Sequence, residues 1–143
     1  MGGSPTSQLT VGAGATANPA STVAFTKSTA NEYRLKLTSG SFNANGNWIG
    51  LGLGYSSDYM KIGIIAEAKD GNGRGYLHFA LNDASTSANA SIADARITLK
   101  STGQARFVPL AADPSGAEAG DVYYNSTSNK LKCYNGTTWN DLF

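Results

Sequence analysis

The chain of 143 residues carries eleven Lys and Arg against ten Asp and Glu, a net charge of +1, and only 15% of its residues are charged. Charge that is so sparse and balanced forms no basic patch, so the sequence suggests neither nucleic acid nor an anionic membrane surface as a partner. A single cysteine excludes an intrachain disulfide and a multi-cysteine metal site, and no apolar run approaches the length of a membrane-spanning helix, so no membrane insertion is expected.

At this length one domain is expected. The 17 glycines, the abundance of Ser, Thr and Asn, and the lack of a sustained helical period predict an all-β chain of antiparallel strands. Residues 1–8 read as a flexible leader of Gly, Ser, Pro and Thr, or as a non-native addition. They lack the charged and apolar regions of a secretion signal, so a protein acting outside a cell would get there by lysis or assembly.

Leu9 and Val11 open a first short strand. Gly12-Ala13-Gly14 follows, but without the Lys-Ser/Thr pair or the helix of a phosphate loop, and it reads as a plain loop. Val23 and Phe25 mark the next strand, and Tyr33, Leu35 and Leu37 alternate with Arg34, Lys36 and Thr38 in another.

Trp48–Tyr55 is more informative. Ile49, Leu51, Leu53 and Tyr55 share one face, and the other carries Trp48, Gly50, Gly52 and Gly54. Glycine packs nothing and loses the most backbone entropy, so a glycine face implies something pressed closely against it. A neighbouring subunit is the first expectation, with Gly50, Gly52 and Gly54 at the contact. Cover by the chain's own aromatics, or a sugar-stacking surface beside Trp48, are the alternatives.

Lys61–Lys69 alternates next, with Ile62, Ile64, Ala66 and Ala68 on one face. Lys69–Gly75 resembles the start of a calcium loop, but Arg74 and Leu81 stand where oxygen ligands are needed, and a glycine-rich hairpin turn is the reading. Tyr76–Leu81 places Leu77, Phe79 and Leu81 together, residues 82–93 form a long polar connection, and Ala95–Ser101 and Ala105–Val108 give two further strands. Gly120–Phe143 then alternates clearly around turns at Ser126–Asn129 and Asn135–Thr138, a meander expected to bury Cys133 beside Leu131.

The residues Pro109-Leu110, Gly120, Tyr123-Tyr124-Asn125-Ser126-Thr127, Lys130-Leu131, Tyr134-Asn135-Gly136-Thr137, Trp139 and Asp141-Leu142 resemble a C-terminal β-motif of bacteriophage tail-fibre and other virion proteins. Cys133 departs from it, where a plain apolar residue is usual. Upstream, Leu77-His78-Phe79, then Ala95–Leu99, then Ser101-Thr102-Gly103-Gln104 resemble the repeat of trimeric phage shafts, with Asp94-Ala95 in place of its first Arg and Met. The two resemblances span residues 76–143. They imply a virion structural protein made in the bacterial host cytoplasm: a fibre, spike or fibre-tip module that contributes to host-surface attachment. A homotrimer bound to other virion proteins would follow, with a host surface glycan as a further partner. A free-standing carbohydrate-binding β-domain and a capsid decoration protein that binds only virion proteins are the alternatives. Three segments are expected: a leader at 1–8, a β-rich fibre-type domain at 9–108 and the meander at 109–143.

No constellation for catalysis stands out. His78 is the single histidine and has no acidic or metal-ligating neighbour in sequence, while Asp58, Asp70, Asp83 and Asp94 fall in or beside turns. The chain is therefore read as neither an enzyme nor a metal or cofactor protein. For a ligand, aromatic rings that stack on a sugar are the candidates: Trp48, Tyr55 and Tyr59, the two tyrosines flanking a polar loop.

Overall fold

The computed structural model describes residues 22–25, 35–55 and 59–143, and the chain divides into two units, Met1–Ser41 and Phe42–Phe143. In the first unit β1 (Thr22–Phe25) pairs antiparallel with β2 (Leu35–Thr38), Val23 opposite Leu37. The strand expected at Leu9 and Val11, and Tyr33 and Arg34, lie outside the described residues.

The second unit holds a five-stranded antiparallel sheet in simple chain order: β3 (Trp48–Leu53), β4 (Ile62–Ala68), β5 (Gly75–Leu81), β6 (Ala95–Leu99) and β7 (Ala105–Phe107). A three-stranded meander follows, with β9 (Lys130–Tyr134) between β8 (Val122–Asn125) and β10 (Trp139–Asp141). The fold is all-β, as the alternation predicts, and the helical piece among the described residues is a single 3-10 turn at Ile92–Asp94. No helix of the described residues is long and apolar enough to cross a membrane.

Local chemistry sets the turns. Between β4 and β5, Asp70 Oδ1 accepts from the N–H of Asn72 at 2.8 Å and of Arg74 at 3.2 Å, and its other oxygen pairs with Arg74 Nε. Gly73 at φ +73 completes that reversal, so residues 69–75 form the expected hairpin turn. The 82–93 connection is better ordered than its composition suggests. Lys61 Nζ donates to Thr86 O at 2.6 Å and to Ala88 O at 2.7 Å, drawing the loop back toward β4. Ser91 and Asp94 then close a reciprocal cap on the 3-10 turn.

The strand register fixes which residues share a side of the large sheet. Gly50, Ile65, His78, Thr98 and Arg106 lie in one cross-strand row, with Trp48, Glu67 and Tyr76 beside it. Leu51, Ile64, Phe79, Ile97 and Phe107 form the central row of the opposite side. Most of the buried core lies on the first side, where Ile65 is 1% exposed, Ala80 0%, Thr98 3% and His78 5%; Ala68, at the end of β4, is buried on the other. The aliphatic side, which alternation alone would place inward, is the one left open. At one end Phe42 packs on it near Gly75. β3 is a sheet edge, and because residues 47, 61 and 82 fix the hydrogen-bonding phase, the backbone groups of Trp48, Gly50 and Gly52 turn away from β4.

The meander is likewise packed on its aromatic side. Tyr123 is buried edge-on against Trp139 with ring centroids 4.7 Å apart, and Trp139 also touches Tyr134 at 5.3 Å. Asp113, from the preceding loop, gathers the ends of this side. It accepts from the Tyr123 hydroxyl and from Lys132 Nζ at 2.8 Å, and Asn125 Nδ2 donates to the same Tyr123 oxygen at 2.7 Å. The hydrogen bonds from Lys132 and Tyr123 hold the Asp113 carboxyl below its ordinary range, whereas burial and the hydrogen bond to Asp113 push the Tyr123 phenol up. Both expected turns are present: Asn125 Oδ1 accepts from Thr127 and Ser128, and Asn135 Oδ1 from Thr137 and Thr138. Cys133 does share a side with Leu131, but it is half-buried rather than buried. The reason is that the tyrosine–tryptophan cluster took the covered side.

Candidate functional site

Of the three aromatic candidates, two come together. The Tyr55 and Tyr59 rings meet edge to face with centroids 6.3 Å apart, and Tyr55 N–H donates to Tyr59 O at 3.3 Å. Tyr55 is 92% exposed and Tyr59 44%, so both rings are open to solvent; residues 56–58, including Asp58, lie outside the described residues. Trp48 is half-exposed at the far end of β3, about 23 Å along the chain from Tyr55 at roughly 3.3 Å per residue. It borders instead a small cavity of about 150 Å³ shared with Gly50, Gly52, Met60, Ile65 and Asn89.

The glycine side of β3 is met by the same chain. A β-carbon at Gly50 would stand 2.9 Å from Ile64 O and 3.1 Å from Ile65 Cγ1, one at Gly52 would stand 2.6 Å from Met60 Sδ, and one at Gly54 would collide with Tyr59 O. The close approach that three glycines imply is therefore present, made by Met60, Ile65 and the Tyr59 backbone rather than by the chain's aromatic rings.

His78 has the acidic partner that its sequence neighbours lack. Its Nε2 lies 2.9 Å from Glu67 Oε2, reached diagonally from β4, and its Nδ1 lies 2.9 Å from Thr98 Oγ1 on β6. A carboxylate only accepts, so Nε2–H donates to Glu67, while Nδ1 shares the hydrogen bond with the Thr98 hydroxyl. Glu67 Oε1 in turn pairs with Lys69 Nζ at 2.6 Å, and that ammonium sits 4.9 Å from the centre of the Tyr76 ring. Burial pushes the Glu67 carboxyl up, but the hydrogen bonds from Lys69 and His78 outweigh it and hold the group below its ordinary range.

A hydroxyl, an imidazole and a carboxylate in series are the parts of a nucleophilic triad, yet here each is less than a tenth exposed and fully partnered. Their arrangement ties β4, β5 and β6 together in the covered half of the sheet. Sequence reading missed this cluster because Glu67 and Thr98 stand eleven and twenty residues from His78. Only the strand pairing brings them into reach. Among the described residues no group of His, Cys, Asp and Glu is arranged to hold a metal ion.

The feature that sequence reading did not single out is the open side of the large sheet. Its three rows are Leu53–Ile62–Leu81, Leu51–Ile64–Phe79–Ile97–Phe107 and Ile49–Ala66–Leu77–Leu99–Ala105, with no charged residue in any of them. A groove of about 710 Å³ carries this surface on from Ile62, Leu81 and Phe107 to Leu110 and Val122 of the meander, with Lys61, Asp83 and Arg96 at its rim. The alternation of β3, β4 and β5 contained the signal: three consecutive strands each have an aliphatic set, and all three sets fall on one side. Comparison of the chain with protein-family models, with curated proteins and with solved structures found no match.

Proposed function

We propose that the chain is a structural protein of a phage virion, a fibre, spike or fibre-tip module that acts as a homotrimer among other virion proteins and contributes to host attachment. The observation that carries this reading is the C-terminal meander. Residues that resemble the virion motif, Tyr123, Asn125 and Trp139 among them, form one packed unit fastened at Asp113, with Lys132 joining them there. The motif's Asn-Ser-Thr and Asn-Gly-Thr segments are its two turns.

The protein works by being bound and by binding, with no catalytic step and no cofactor. The buried, mutually satisfied His78–Glu67–Thr98 set has a role in holding strands together and offers no reacting atom to a substrate. Attachment to a host surface glycan is assigned to the paired Tyr55 and Tyr59 rings, whose open faces suit the C–H side of a sugar. Trp48, at the other end of β3, is not part of that pair.

Immunogold labelling of purified particles with an antibody to this chain tests the reading. Label at a fibre, spike or tail tip is the expected result, and absence of the chain from the particle overturns it. Tyr55→Ala with Tyr59→Ala should lower adsorption of the isolated protein to host cells by about tenfold, in line with the loss of two stacking contacts at about 0.7 kcal/mol each. Unchanged adsorption would leave the glycan role without its residues.

A further inference from the structure

We infer that the open apolar face of the five-stranded sheet is the assembly surface, and that it is occupied by two further copies of this chain, three sheets closing face-inward about one axis. The number three rests on the trimeric reading above; the choice of face stands on the structure and replaces the glycine side of β3.

Seven large apolar residues on this face, Leu51, Leu53, Ile62, Ile64, Phe79, Leu81 and Leu99, each keep between 37% and 48% of their surface in water. Slipping any strand by one residue would turn its aliphatic set inward, but the register is fixed from the other side. There Glu67, His78 and Thr98 are hydrogen-bonded across three strands and buried, and a slip would expose or orphan each of them. The chain thus locks its polar set inside and its aliphatic set outside. A contiguous apolar surface of this kind marks an interaction site.

The chemistry of the face selects its occupant. With no charge or hydrogen-bonding side chain in its rows, it has no handle for discriminating a foreign partner, whereas an identical apolar surface is complementary to itself under rotation. Geometry then bounds the number. Four strand spacings of about 4.8 Å make the face about 19 Å wide. Three such walls enclose a prism whose centre lies about 5.5 Å from each wall, close to half the roughly 10 Å at which sheets stack, so one layer of side chains per wall fills it. Four walls would put the centre about 9.5 Å away and leave a void that leucine and phenylalanine do not reach.

Two walls pack at the right distance as well, and each chain buries the same face in either closure, so the trimeric reading above decides between them. The groove that continues onto Leu110 and Val122 lengthens the face beyond the roughly 17 Å of a five-residue strand.

The test is light scattering of the full chain at micromolar concentration beside Phe79→Lys and Trp48→Lys. Wild type and Trp48→Lys should give three times the monomer mass, and Phe79→Lys a threefold lower mass with an unchanged far-ultraviolet spectrum. A trimeric Phe79→Lys leaves the virion reading standing and overturns the face. A monomeric or dimeric wild type overturns the three-way closure, and a monomer removes the trimeric reading as well. Should Phe79→Lys fail to fold, a nitroxide at Leu81→Cys in a Cys133→Ser background decides the matter. Spin–spin broadening within about 20 Å is expected, and a spectrum of isolated spins overturns the proposal.

Discussion

At the scale of single residues, Glu67 and Asp113 are the points on which most else depends, one in the large sheet and one in the loop that precedes the meander. Glu67 takes hydrogen bonds from His78 and Lys69, and removing its charge leaves a buried imidazole facing a weaker acceptor. Glu67→Gln should lower stability by about 1–3 kcal/mol, the range for a hydrogen bond to a buried charged group, as read by urea denaturation. A loss under about 0.5 kcal/mol would mean that the set is not holding the strands. Acid should act on the same groups. Glu67 and Asp113 are held below their ordinary values of 4.5 and 3.8, so the folded chain binds these protons less tightly than the unfolded one. Their contribution is complete above those ordinary values and is lost as the pH falls through the lower folded ones. The melting temperature should therefore drop below about pH 4.5, and a Glu67→Gln, Asp113→Asn variant should show a shallower drop. Equal slopes for the two proteins would contradict this.

At the scale of elements, β3 shows why a glycine pattern is informative and yet easily misassigned. Its glycines need close neighbours, and that much is legible from Gly50, Gly52 and Gly54 alone. Which neighbours is not, because Met60 comes back against Gly52, and Tyr59 against Gly54, only after the turn out of β3. Gly54→Ala should cost about 1–3 kcal/mol, since its β-carbon would meet a backbone carbonyl that cannot move aside. Gly71→Ala, whose β-carbon meets ordinary contact at 3.4 Å, should change stability by less than about 0.5 kcal/mol; urea denaturation of both compares them. Strands and turns were legible throughout 48–143, because alternation and Asn or Gly at turns act locally. Sidedness was not. The rule that apolar residues point inward fails on the large sheet, whose aliphatic side is the open one, and no window of sequence records that. The His78–Glu67–Thr98 set was hidden for a related reason, being assembled from three strands by register alone.

At the scale of the whole molecule, the proposed closure of the large sheet's aliphatic side on other copies would make stability a property of concentration. If the face closes on other copies, dilution exposes it again, and folding and assembly share one equilibrium. The melting temperature should rise by several degrees as the chain is concentrated from about 1 to 100 μM, because mass action favours the associated form. A monomeric protein would melt at the same temperature throughout, so differential scanning calorimetry at two concentrations separates the cases.

The outer border of β3 carries a further consequence, for handling the protein. Trp48–Leu53 presents the amide and carbonyl groups of Trp48, Gly50 and Gly52 outward, on a strand without Lys, Pro or a bulge. Those are the devices by which sheets deter chains from adding on laterally. An isolated chain held at low salt and high concentration is thus exposed to fibrillar growth along this border. Trp48→Lys places a charge at the start of the strand and should lengthen the lag before thioflavin fluorescence appears, while a lag equal to that of the wild type would point to another nucleus.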